Sequence, residues 1–195
     1  MSQTEIEKTL SLLFPEGSVV ELRALRKFGG MASGYYTDQT RLAQDAAALD
    51  ITHEFVGMYV VLNEINPVLL CRRANRIEMR LSKDDKATRD EDILHRRWFP
   101  IVIDPRRPSG ISSSDREHTD ALEKAEKIRQ FLSDMGWPEP VFADSGNGAH
   151  LLYRIDLPND SASGELIKKA LTVLSGFFSD ERSGVDTSVS KAAQL

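Results

Sequence analysis

The sequence is poor in residues that cross-link or sheathe a protein. It has one cysteine, Cys71, in 195 residues, which excludes an internal disulfide framework and fits a reducing, cytoplasmic setting. Its four histidines (His53, His95, His118 and His150) stand far apart, and with a single thiol they offer no structural zinc site. The apolar runs are all far shorter than a membrane span, and the first residues lack the basic-then-apolar order of a signal peptide. Positive charge is not in surplus either. With 25 Lys and Arg against 30 Asp and Glu, the net charge of −5 excludes a uniformly basic nucleic-acid coat. There is no internal repeat, low-complexity tract or linker. The remaining composition, 41% hydrophobic and 28% charged, is that of one globular domain, or one domain with a small extension.

The most informative stretch runs from Trp98 to Gly110, where an apolar run ends in Asp104 and enters a rigid turn carrying Arg106 and Arg107. Strand alternation puts Ile101 and Ile103 on one face, and Val102 with Asp104 on the other. A carboxylate at the end of a buried strand, facing two arginines, fits metal and phosphate chemistry. A solvated Asp-Pro turn fits it equally well. The same ambiguity holds for the arginines at 72, 73, 76, 80, 96, 97, 106 and 107. Their density suits phosphate recognition. They can also form solvated faces paired with Glu78, Asp84, Asp85, Asp90, Glu91 and Asp92.

Along the chain, periodicity predicts a helix over Thr4–Leu13 and a strand over Ser18–Leu25, with Val20, Leu22 and Ala24 alternating against Glu21 and Arg23. Gly29-Gly30 and Ser33-Gly34 bracket a flexible turn, Asp38 caps a helix over Gln39–Leu49, and Gly57–Leu62 reads as a strand. Pro67–Arg80 reads as a short helix or basic loop, and Ser82–Thr88 as exposed loop. Ser112–Ser114 caps a long helix over Asp115–Met135, which Gly136 ends. Val141–Ala143 and Ala149–Ile155 form a hairpin around Asp144-Ser145-Gly146-Asn147-Gly148. Pro158–Ser163 reads as loop, Gly164–Phe178 as an amphipathic helix, and Val185–Ser188 as a last short element. This order predicts an α+β fold, with helices on one face of an antiparallel or mixed sheet.

Asp104, His150 and Asp186 each stand at a strand end or turn, so they meet in one site if those strands are neighbours. Two aspartates can hold a magnesium-type cation together with substrate phosphates, and a histidine beside them suits a phosphate contact. The amides of Gly146, Asn147 and Gly148 are candidate anion donors. Taken singly, each of these residues also fits a purely structural role.

Three segments carry a resemblance: Asp104-Pro105-Arg106-Arg107-Pro108-Ser109-Gly110, Asp144-Ser145-Gly146-Asn147-Gly148-Ala149-His150, and Val185-Asp186-Thr187-Ser188-Val189. In order and spacing they resemble the three motifs of the archaeo-eukaryotic primase superfamily, closest to its primase-polymerase branch in phages, plasmids and other mobile elements. Upstream, Val20-Glu21-Leu22-Arg23, Ser33-Gly34-Tyr35-Tyr36, Tyr59 to Asn63, and Arg72 to Asn75 also resemble that branch. The similarity spans roughly Val19 to Val189.

The resemblance implies an RRM-like catalytic core over about residues 98–195 beside an N-terminal α/β unit over about 1–97. It implies a DNA primase or DNA-directed polymerase, a nucleotidyltransferase serving DNA replication with magnesium or manganese and nucleoside triphosphates. By matching positions, Asp104, His150 and Asp186 are the catalytic residues, and Asp104 and Asp186 the metal ligands. Arg106, Arg107, Ser145, Asn147, Gly148 and His150 form the nucleotide-phosphate site. Implied partners are nucleotides, a single-stranded or primed DNA template, and a helicase or other replication protein. No membrane partner is implied.

Two positions depart from the family pattern. The first motif is usually Asp-x-Asp, and here Val102 takes the first position. After the third motif, Lys191 and Gln194 stand where an Asn and an Arg are expected, and the core reads as truncated at Leu195. A valine supplies no oxygen, so a full two-metal site is not expected. The alternative is a non-catalytic nucleotide- or single-stranded-DNA-binding module on the same scaffold.

Overall fold

A computed structural model describes residues 2–82, 85–108 and 110–193. Ser109, Asp84 and Gln194, singled out in the sequence, lie outside the described residues. The protein is α+β, with helices and antiparallel sheets. It divides into two compact units: 1–95 together with 192–195, and 96–191. Among the described residues, no helix is long and apolar enough to cross a membrane.

In the first unit, helix α1 (Gln3–Leu13) begins at a capping box in which Ser2 and Glu5 satisfy each other's backbone amides. Helix α2 (Gln39–Asp50) begins at Asp38, whose side chain accepts the Arg41 amide. Strands β1 (Val20–Arg26), β2 (Met31–Tyr36) and β3 (Phe55–Val60) form an antiparallel sheet in the order β2-β1-β3. Its core includes Leu10 and Leu13 of α1, Leu42, Ala43, Ala46 and Leu49 of α2, and Val20, Leu22 and Ala24 of β1.

Two expectations fail in this unit. The turn does not extend to Ser33-Gly34, which belong to β2, and is confined to residues 27–30. Position 34 is glycine because of a distant neighbour: a Cβ there would lie 2.3 Å from the Arg76 carbonyl oxygen. Nor does β1 alternate between core and solvent, because Glu21 and Arg23 are buried as well. Strand β1 is central, and its polar face is closed by side chains from β2 and from residues 73–88. The Glu21 carboxylate accepts from Arg23 Nε at 2.8 Å, Ser33 Oγ at 2.6 Å and the Thr88 amide at 3.1 Å. Arg73 is buried beside Ser33, with its guanidinium 5.1 Å from the Tyr35 ring centroid. The end of the expected exposed loop, Thr88, is therefore buried too.

Pro67–Arg72 and Asp90–Asp92 are 3-10 helices, and strand β5 (Ile93–Pro105) follows the second and opens against the short strand β4 (Glu64–Ile65). The chain returns to this unit at its end. Ala192 is buried among Val19, Tyr35, Val61, Ile65, Leu69 and Ile93, and its carbonyl accepts Asn63 Nδ2 at 2.8 Å.

The second unit has the order β5, α3 (Asp115–Asp134), β6 (Val141–Asp144), β7 (Ala149–Pro158), α4 (Ser161–Phe178) and β8 (Ser183–Val185). Its strands lie in the order β8-β5-β7-β6. A Ser114–Glu117 capping box starts α3, and Gly136 (φ 86°) follows it. Helix α4 starts three residues before the expected Gly164, because the Asp160 side chain accepts the Ser163 amide and turns Ser161–Ser163 into its first turn. One sheet face meets both helices: Ile101, Ile103, Ala149, Leu151, Tyr153 and Val185 pack with Ala121, Ala125, Ile128, Ile167 and Leu171.

Candidate functional site

The residues of interest lie on the other face of this sheet. Ile101 and Ile103 point into the core, so Val102 and Asp104 point away from α3 and α4. Val102 is half-buried and Asp104 exposed. Strand β8 pairs antiparallel with β5, Ile103 opposite Val185 and Asp104 opposite Gly184, and the Asp186 amide extends the ladder to the Val102 carbonyl at 2.8 Å. Side chains directly opposite one another share a face. Asp186 therefore flanks Val102 and is the diagonal neighbour of Asp104. Such diagonal positions are about 7–8 Å apart, within reach of two carboxylates sharing one cation.

On the other flank, β7 adjoins β5. Ala149, Leu151 and Tyr153 are in the core, which turns His150 to the same face as Asp104. Burial pushes the His150 imidazole below its ordinary value, and the Asp104 charge opposes that shift without cancelling it. His150 is therefore neutral at pH 7, a hydrogen-bonding group rather than a cation. Gly148 brings the hairpin against β5. A Cβ there would sit 2.2 Å from the Ile103 carbonyl oxygen and 3.0 Å from Asp104 Oδ1, so only glycine fits this approach.

The two carboxylates differ in what they already hold. Asp186 caps the 3-10 turn Thr187–Ser190, with Oδ1 accepting the Ser188 amide at 2.7 Å and Oδ2 the Ser188 hydroxyl at 2.9 Å. Each oxygen keeps a further acceptor position. The Asp104 side chain makes no hydrogen bond or ion pair among the described residues. The pair fits a cation of the magnesium class, which takes one or two carboxylates and completes its shell with phosphate and water oxygens. Among the described residues no group of three or more His, Cys, Asp or Glu side chains is placed to hold a metal. The position where a third carboxylate would complete this cluster is Val102.

The basic and loop residues divide. Arg106 is exposed beside β8, its Nε 3.9 Å from where a Cβ at Gly184 would lie. Arg107 turns elsewhere, donating to the Ile111 carbonyl. The loop amides are already engaged: Gly146 N donates to Asp144 Oδ1 at 2.7 Å, and Asn147 N and Gly148 N to Ser145 Oγ at 3.4 and 3.0 Å. Asn147 in turn fixes the approach to α3, accepting the Ser113 amide at 2.9 Å and the Ser113 hydroxyl at 2.6 Å. In this state Ser145 and Asn147 shape the loop rather than point donors outward.

Sequence reasoning passed over two supports of this loop, Ser113 and His118. His118 Nε2 lies 2.7 Å from Asp144 Oδ1. The Gly146 amide, then His118, hold the Asp144 carboxyl below the usual carboxylate range. The only sequence signal for His118 is its place in the first turn of α3, behind the Ser114 cap. No protein-family model matches the chain, and no curated protein or solved structure matches it.

Proposed function

We propose that the chain is a primase-polymerase-type nucleotidyltransferase domain related to the archaeo-eukaryotic primases. In this reading Asp104 and Asp186 hold a divalent cation, magnesium or manganese, and His150 and Arg106 meet the phosphates of an incoming nucleotide. One observation carries it: Asp104, Asp186 and His150, distant in sequence, share one face of three adjoining strands. The β-α-β-β-α-β order with β5 and β7 central also supports an RRM-like core.

The reaction is displacement at the α-phosphorus of a nucleoside triphosphate. A 3′-hydroxyl forms the new P–O bond, its proton passes to solvent, and pyrophosphate leaves with the electrons of the broken bond. A divalent cation held at this site would neutralise charge on the phosphate oxygens and align them. The protein side chains position: Asp104 and Asp186 would hold that cation, His150 would donate one N–H to the phosphates, and Arg106 would add charge at the open rim. Val102 withholds the carboxylate that would orient the attacking hydroxyl.

That valine favours a second reading, a nucleotide- or single-stranded-DNA-binding module without turnover. Primer synthesis and extension on a single-stranded template, with magnesium or manganese, separates the two. The first reading expects weak product from the native chain, more from Val102→Asp, and none from Asp104→Asn. Nucleotide binding without product in either active-site background supports the second. Product from Asp104→Asn at the native rate contradicts both.

A further inference from the structure

The tip of the β1–β2 hairpin takes no part in the site above. Its turn closes through Arg26 N to the Gly30 carbonyl at 3.1 Å and Gly29 N to the Arg26 carbonyl at 3.3 Å. Gly29 and Gly30 sit at φ of 88° and 85°, a left-handed conformation other residues resist. This tight turn holds Phe28 wholly in solvent, at 101% exposure. A ring kept in water by a defined turn is not packing the core. Beside it lies a groove of about 720 Å³ whose walls include Arg26, Lys27, His53 and Arg80. Among the described residues that line it, the one carboxylate, Glu54, is taken by Arg26 at 2.6 Å. Arg26 is further fixed by the Met79 carbonyl at 3.0 Å and by the Phe55 ring, 5.0 Å from its guanidinium. Lys27 and Arg80 form no ion pair among the described residues.

We infer that this groove binds single-stranded DNA, with an unstacked base on the Phe28 ring and neighbouring phosphates on Lys27 and Arg80. A free aromatic face flanked by unpaired cations complements a strand that alternates bases with phosphodiesters. A duplex keeps its base faces stacked and presents only its backbone, which leaves the ring without a partner. An acidic protein segment would use the cations but not the ring. The choice of DNA over RNA rests on the template-directed reading above, whereas the groove itself stands on its own residues.

The test is fluorescence anisotropy of a labelled oligothymidylate with the full chain, without metal or nucleotide. The expected result is binding that falls as salt rises, with Phe28→Ala about tenfold weaker and Phe28→Trp close to native. Lys27→Gln combined with Arg80→Gln should flatten the slope of log affinity against log salt by about 0.7 per charge removed. Phe28 is exposed, so its truncation should leave the unfolding midpoint unchanged, which separates lost binding from lost fold. Binding is read without metal or nucleotide and through substitutions at the groove alone, so failure at the nucleotide site and failure at the groove are distinguishable. Native affinity in both the Phe28→Ala and the doubly neutralised variants overturns the proposal. Preference for duplex, for an acidic peptide, or for oligouridylate over oligothymidylate overturns it as well.

Discussion

Glu21 and Asp104 are both carboxylates on central strands, flanked by aliphatic residues and followed within two positions by an arginine. Their surroundings make them opposites. Glu21 is fully buried and saturated by Arg23, Ser33 and Thr88. Asp104 is exposed and unengaged among the described residues. The first is spent on holding β1, β2 and the 73–88 segment together. The second is left available on an open sheet face. The same contrast sorts the arginines, whose density pointed to phosphate. Arg73 and Arg96 are buried, while Arg106 remains at the surface.

The contrast breaks most directly at Glu21. Glu21→Ala strands a buried guanidinium, a hydroxyl and an amide together, and removing one partner of a buried pair costs about 3–5 kcal/mol. Urea unfolding should show that loss, or no folded protein, whereas Asp104→Asn should stay within about 0.5 kcal/mol of native. Equal losses for the two would erase the distinction.

A smaller effect is expected at Gly148, where the site depends on close approach rather than on charge. Gly148→Ala must part the hairpin from Ile103, an overpacking that costs about 1–3 kcal/mol. Gly146→Ala has open space around its Cβ and meets only the strain of φ 74°, so its thermal midpoint should fall less. A larger drop for Gly146→Ala would contradict the close-approach account.

The smallest effect is confined to pH and belongs to His150. Its folded value lies below the ordinary 6.5, so the unfolded chain takes up the proton first as pH falls. The stabilising contribution of the neutral ring is present above about pH 6.5 and is lost as pH falls toward the folded value. His150→Gln should flatten unfolding free energy across that window. An unchanged slope would show that another group titrates there.

How far these features were legible depends on whether their causes are local. Strand β5 was readable because Ile101 and Ile103 alternate with Val102 and Asp104. Helix α3 was readable because Ser114 caps it and Gly136 follows it. The strand at Ser33–Tyr36 was not, because Gly34 resembles a turn residue and its reason for being glycine is the carbonyl of Arg76. The first turn of α4 was hidden in Ser-Ala-Ser-Gly, which looks like loop unless Asp160 is seen as its cap. Burial of Glu21 was invisible because its partners lie as far along the chain as Thr88. At the candidate site, three motifs named the residues, but the adjacency of β8, β5 and β7 is a property of pairing. The inward hydrogen bonds of Ser145 and Asn147 were likewise beyond local sequence, since Asn147 answers to Ser113.

The central claim is that Asp104 and Asp186 form one cation-dependent nucleotide site. Manganese titration in the presence of a nucleoside triphosphate, read by calorimetry on the native chain and on Asp104→Asn and Asp186→Asn, tests it most directly. The expected result is nucleotide binding by the native chain that requires the cation, weakened at least about tenfold by either substitution with the fold intact. Native affinity in both variants, or nucleotide binding that ignores the cation, would contradict it.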